Sequence, residues 1–235
     1  MNYIKLDDQK NNLKPYLYSM FGLLLFIMVM VFAMALVGAT LTPVVPSYLV
    51  VFRDKKLFIL FSQVLIQSCF AIFSAVLFSK FVIEDYRERQ VVLSSSYPIS
   101  RSRIFWNKMM FVSFWTVAAT FFTMIICLGA LAVSSAYIPL LNGADLLLSW
   151  PIILKGAVNS SLVALMIGII SLAVGFRNKS IISAIITALI LCSILSNIMQ
   201  IENSSLIYGF YGILLAVSVG AVVSVANKAK KMEVS

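Results

Sequence analysis

Hydrophobic positions along this chain fall into six long runs, at about 17–41, 57–83, 105–133, 152–174, 181–199 and 206–226, separated by short polar breaks. Each run lies within or a little above the roughly 17 to 25 residues that a helix needs to cross a hydrocarbon core about 30 Å thick. The pattern predicts an all-α integral membrane protein, a single domain over 1–235 whose six transmembrane helices have the lipid bilayer as solvent. The first run is well beyond the roughly 7 to 15 apolar residues of a secretory signal, so it is expected to be retained. Before it, Met1 to Pro15 is polar and mixed in charge and reads as a short interfacial or loose arm, followed by Tyr16 and Tyr18 at headgroup level.

The breaks differ in kind. Phe176 to Ser180, FRNKS, reads as a tight basic turn. Ser134 to Trp150 is apolar but interrupted by Pro139, Asn142, Gly143 and Asp145, and is expected to lie at the outer interface or to dip partly back. Glu84 to Arg103, EDYRERQVVLSSSYPISRSR, is mostly polar, carries both signs of charge, and stands between runs with no charge at all, Leu57 to Ser79 and Met109 to Ala144. A single charge at the bilayer centre costs roughly 2.5 to 3.5 kcal/mol even on the lenient insertion scale, so this insert must stay on the water side.

Local order within the insert separates it from an ordinary loop. Asp85 and Arg89 are four residues apart and Glu84 and Arg87 three, spacings that bring opposite charges together on a helical turn. Tyr86, Arg89, Gln90, Leu93 and Tyr97 continue a helical stripe. Pro98 ends it, because the residue before a proline avoids the α region. Ser100 or Ser102 is placed to cap the next helix. A short helix lying across the membrane surface, closed by a proline turn, would act as a rigid lever.

Composition fixes the class and the orientation. The chain is 61% hydrophobic with mean hydropathy +1.00, against about 45 to 50% apolar residues in soluble domains. A formal charge of +9 does not point to nucleic acid, since the cations sit at the ends of apolar runs and not in one patch with interleaved aromatics. Of 18 Lys and Arg, all but Arg53, Lys55, Lys56 and Lys155 fall on the side that holds both termini, the insert and FRNKS. By the positive-inside rule both termini and the insert are cytoplasmic.

Candidate chemistry is sparse. With no histidine, proteases built on a serine–histidine pair or on an HExxH zinc helix are excluded. No GxxxxGK[ST] loop is present, so the chain does not hydrolyse ATP in that manner. Cys69, Cys127 and Cys192 lie inside apolar runs without a CxxC pair and read as small buried hydrophobes, which gives no metal site. Gln63 and Gln67 share one helical face that should look at protein or a wet cavity, as interhelical contact or as part of a substrate path. Asn159 is a third amide on that candidate path. Lys80 and Lys155 can snorkel to the interfaces. Small residues recur every four positions at Ser160, Ala164 and Gly168, and again at Gly212, Ala216, Gly220 and Ser224, a spacing that lets helices approach closely, within one chain or with a second copy.

The acidic exit from the second run at Glu84, Asp85 and Glu88, the short helix Tyr86 to Ser96, and the turn Pro98-Ile99-Ser100-Arg101 opening the third run together resemble the permease subunits of ABC exporters of the ABC-2 type. The six-span layout matches that family over nearly the whole chain, although Arg89-Gln90 stands where a Gly-Thr pair is often found. What the resemblance implies is a cytoplasmic coupling helix between spans two and three. It also implies pairing with a second permease copy or a related permease, and an ABC ATP-binding subunit carrying ATP and magnesium. Glu84, Asp85, Tyr86, Arg87, Glu88, Arg89, Tyr97, Pro98 and Arg101 would form the coupling contact. The same resemblance points to a bacterial cell membrane and to an amphipathic peptide or bacteriocin-like cargo, exported or expelled for self-protection. The chain itself would be no enzyme. A gradient-driven secondary transporter would show a buried acid and paired broken helices, and a non-transporting immunity or scaffold protein would need no ATPase.

Overall fold

The computed structural model of the chain describes residues 14–40, 55–83, 101–137, 150–199 and 204–234. They form six helices: α1 Lys14–Thr40, α2 Lys55–Phe78, α3 Arg101–Tyr137, α4 Trp150–Asn178, α5 Ile181–Met199 and α6 Ser204–Val234. A π-helical turn, Ser79–Ile83, continues α2. All six helices are long and apolar enough to cross a membrane. Their outward faces carry residues such as Phe21, Phe114, Ile182 and Ile213, each 60 to 70% exposed, a surface that suits lipid.

Several helices outrun the apolar runs that announce them. α3 begins at Arg101 and ends at Tyr137, α4 continues through Asn178, and α6 continues to Val234 through Lys228, Lys230 and Lys231. Hydropathy marks only the hydrocarbon crossing. A helix persists beyond it while its backbone groups are best paired internally and its residues, Ala and Lys in the α6 tail, are good helix formers. The FRNKS turn is consequently shorter than the motif: only Lys179 and Ser180 lie between α4 and α5. Lys179 has φ 48°, and the Ser180 N–H donates to the Gly175 carbonyl at 3.1 Å, a left-handed C-cap of the Schellman type in which lysine takes the usual place of glycine. Ser102 falls inside α3, one residue past its start.

The middle of the bundle is α4, which touches α2, α3, α5 and α6. Its buried set includes Gly156, Ala157, Ser160, Ser161, Ala164, Gly168, Ser171 and Gly175, small residues on more than one face, so neighbours close in from several sides. α1 packs on α2 and α3 at one margin. About 56% of the apolar stretch of α4 is buried against 11% for α6, which places α6 at the other margin.

The two small-residue stripes have different fates. That of α4 packs inside the chain, against α2: a Cβ on Gly168 would overlap Ser74 Oγ and lie 3.2 Å from the Phe78 ring. A Cβ built on Gly212 or Gly220 of α6 would meet no atom within 4 Å among the described residues, so that stripe faces away from the bundle.

Candidate functional site

Most of the polar insert, 84–100, lies outside the described residues, and with it Glu84, Asp85, Tyr86, Arg87, Glu88, Arg89, Tyr97 and Pro98. Its two anchors are described. The chain leaves α2 through the π turn and re-enters at Arg101, the first residue of α3. These anchors pack together: the Phe81 ring stands 6.4 Å from Phe111 of α3 and 5.0 Å from Tyr16 of α1, and Phe111 in turn meets Trp115 at 6.1 Å. A ladder of tilted and edge-on aromatic rings thus binds α1, α2 and α3 where the insert is rooted.

The three amides do not form one group. Gln63 of α2 lays its carboxamide over Gly156 of α4, in the space a side chain there would occupy. One turn further along α2, Gln67 is 1% exposed, and its Nε2 has no hydrogen-bond partner among the described residues. Asn159, three residues beyond Gly156, turns toward α6. Its Nδ2 donates to the Tyr211 hydroxyl at 2.9 Å, and that hydroxyl donates to Met199 Sδ of α5 at 3.6 Å. Gln63 and Gln67 therefore belong to the α2–α4 seam, and Asn159 to a clasp joining α4, α5 and α6.

Many buried hydroxyls are satisfied locally, by reaching back to the carbonyl three or four residues earlier. Ser62 does so to Phe58 at 2.8 Å, Thr116 to Val112 at 2.9 Å, Thr120 to Thr116 at 2.7 Å and Ser171 to Ile167 at 2.9 Å. Ser74 bonds to the Ala71 carbonyl at 2.8 Å and lies 3.5 Å from the Ala164 carbonyl across the seam. Polar residue types in the core thus do not by themselves line a wet channel. Fully buried side-chain atoms without a partner among the described residues are Gln67 Nε2, Ser68 Oγ and Ser79 Oγ, all on α2 or its π turn. Next to Ser68, the Cys192 thiol of α5 donates to the Ser68 carbonyl at a long 3.9 Å.

Sequence reasoning missed Tyr211 as a partner for Asn159. The structure sends Tyr208 outward, 60% exposed, and Tyr211 inward. Spacing alone does not carry that signal, because three residues place the two tyrosines on neighbouring faces only about 60° apart. No group of three or more acidic, histidine or cysteine side chains suited to a metal ion occurs among the described residues. Lys155 is exposed near the start of α4, among the outward-facing Ile152, Leu154 and Val158. Comparison with protein-family models, with curated proteins and with solved structures found no match to this chain.

Proposed function

We propose that the chain is the membrane-spanning permease subunit of an ATP-driven exporter of the ABC-2 type, multi-pass in a bacterial cell membrane with both termini cytoplasmic. One observation carries the reading: between the second and third of six apolar helices stands an insert with an acidic start, a helical charge pattern and a Pro-Ile-Ser-Arg turn. A lever is present in this chain and no phosphate-binding loop is, so ATP and magnesium belong to a separate ATPase subunit. Packing supports a lever in that position, because the insert's two anchors are tied by the Tyr16, Phe81 and Phe111 rings. A push on the insert would therefore be felt by three spans at once.

The cargo suited to this interior is amphipathic or apolar, a peptide of bacteriocin type fitting better than a strongly charged solute. In the described conformation Gln67 is buried and the α2–α4 seam is closed by Gln63 and Gly156. Opening that seam would expose the amides of Gln63 and Gln67 to cargo, and parting α6 from α4 would release Asn159. The seam thus corresponds to an occluded state of an alternating-access cycle.

The test replaces Arg87, Arg89 and Arg101 together by serine. The expected outcome is a chain that inserts normally, loses most of its co-purifying ATPase and loses transport. Charge-assisted contacts contribute about 1.5 to 3 kcal/mol each, so losing three should weaken the complex by two orders of magnitude or more. Intact co-purification and transport in the triple variant would remove the assignment, and transport that follows an ion gradient without ATP would move the chain to the secondary transporters.

A further inference from the structure

We propose that the π-helical turn Ser79–Ile83 is a conformational switch at the root of the polar insert, winding between a π and an α form and turning the insert as it does so. The inference rests on the permease reading and deepens it by naming the joint through which the insert acts on the spans.

Three observations meet at this turn. It is the one π-helical stretch among the described residues, and such turns hold an extra residue within a helix, commonly at functional sites. It is also gripped on nearly every side. Leu77, Phe78, Ser79, Phe81 and Val82 are all buried, with Lys80 reaching outward. The turn touches α3, α4 and α5 as well as Tyr16 of α1. Finally, the Ser79 hydroxyl is fully buried and has no partner among the described residues. Ser62, Thr116, Thr120 and Ser171 satisfy theirs through the carbonyl four residues back. A rearrangement of the turn that brings a carbonyl to the Ser79 hydroxyl would remove the cost of leaving it buried and unpaired.

Helix geometry sets the mechanics. Winding the turn into α passes its surplus residue into the insert, rotating the insert's start by about 100° and advancing it by about 1.5 Å relative to α2. Phe81 sits between Tyr16 and Phe111, so that rotation must part its ring from at least one of them. Packed rings change partners in steps and not by gradual bending, which makes the turn two-state. Because α1 touches the turn less than α3, α4 and α5 do, the Tyr16 contact is the one that gives way, and a pull on the insert is converted here into separation of α1 from α2 at one end of the bundle.

The experiment uses the chain with its ATPase partner in membrane vesicles. Tyr16→Cys and Phe81→Cys are introduced after Cys69, Cys127 and Cys192 are replaced by alanine. Cross-linking by a flexible bifunctional thiol reagent long enough to span two ring lengths is then compared without nucleotide and with ATP, Mg2+ and vanadate. With the ring centroids in contact at 5.0 Å, the pair is expected to cross-link without nucleotide. The yield should fall at least about threefold in the trapped state as the population shifts. Equal yields in both states, with the ATPase bound and hydrolysing, overturn the switch and leave the permease reading standing. Absence of any bound ATPase overturns both. A second variant deletes Lys80, which removes the surplus residue and fixes α winding. It is expected to insert and bind the ATPase, with Phe81 held beside Tyr16, cross-linking high and equal in both states, and no transport. Full transport in the deletion would also overturn the switch.

Discussion

Gly156 leaves a notch in α4 that the Gln63 carboxamide fills, and the fit between these two residues sets how closely α2 and α4 approach. A Cβ at Gly156 would overlap the amide nitrogen and stand 2.7 Å from Cδ of Gln63. The obstructing atoms are the end of a flexible side chain, so Gly156→Ala is expected to cost only about 1 kcal/mol, the low end of overpacking penalties. Adding Gln63→Ala should restore most of it. At Gly168 the neighbours are less yielding, since Ser74 Cβ lies 3.1 Å and the Phe78 ring 3.2 Å from a built Cβ. Gly168→Ala should cost about 2 to 3 kcal/mol, with no rescue from Gln63→Ala. Unfolding midpoints in detergent, combined as a double-mutant cycle, check both; equal penalties or missing rescue at Gly156 would contradict the described seam. Spacing made part of this legible, because Ser160, Ala164 and Gly168 mark a face built for close approach. What spacing does not encode is the partner: it describes one helix surface, while α2 became the neighbour through matching residues such as Ser74, 90 positions from Ala164.

At the scale of elements, α6 packs mainly on α4, through a face that includes Leu214, Ser218 and Val225 and through the hydrogen bond from Asn159 to Tyr211. Interhelical hydrogen bonds in lipid average only about 0.6 kcal/mol, because the separated helix also finds partners. Tyr211→Phe should therefore leave insertion unchanged and lower stability by roughly 0.5 to 1 kcal/mol, measured by unfolding in mild detergent. Asn159→Ala should add nothing further once Tyr211→Phe is present, since both remove one bond. The element boundaries show where sequence reasoning runs out. Apolar runs located all six helices, yet α3, α4 and α6 extend past them, because hydropathy registers solvent and helix formation registers backbone pairing. The π turn was illegible for a related reason: apolar Phe78, Phe81 and Val82 look alike in α and π winding. Only the surrounding helices decide between the two. α4 illustrates packing without a hydrophobic drive. Ile167, fully buried, loses contacts and not transfer energy when cut to alanine, because lipid is as apolar as the core. Ile167→Ala is accordingly expected to cost about 1 to 2 kcal/mol, below the roughly 2 to 5 typical of a water-soluble core. Val219→Ala on α6, where Val219 is 55% exposed, should be within about 0.5 kcal/mol of neutral. Thermal unfolding of the two variants decides this.

For the whole molecule, charge and packing make one joint demand. If all six helices span, the cations apart from Arg53, Lys55, Lys56 and Lys155 fall on the side of the termini and the insert, and the positive-inside rule predicts one orientation for all six spans together. Packing agrees on which ends belong together: Tyr16 near the start of α1, Phe81 at the end of α2 and Phe111 early in α3 meet in one ring cluster. Phe81 and Phe111 also share a hydrophobic cluster with Phe176 at the end of α4, Ala184 early in α5 and Val225 late in α6, so one end of every later helix joins this layer. If this layer is cytoplasmic, single cysteines placed at Tyr97 and at Lys230 in a cysteine-free chain should react with an impermeant thiol reagent only in inverted vesicles. One at Asn142 should react only in intact cells. Reversing the bias, with Arg177 and Lys179 changed to glutamate together with Lys228, Lys230 and Lys231, should produce a mixed population, since each cation near a leaflet of anionic lipid is held by about 1 kcal/mol. Outside-only labelling at Tyr97 in the native chain would put the insert beyond the reach of any cytosolic ATPase, and the permease reading would fall with it.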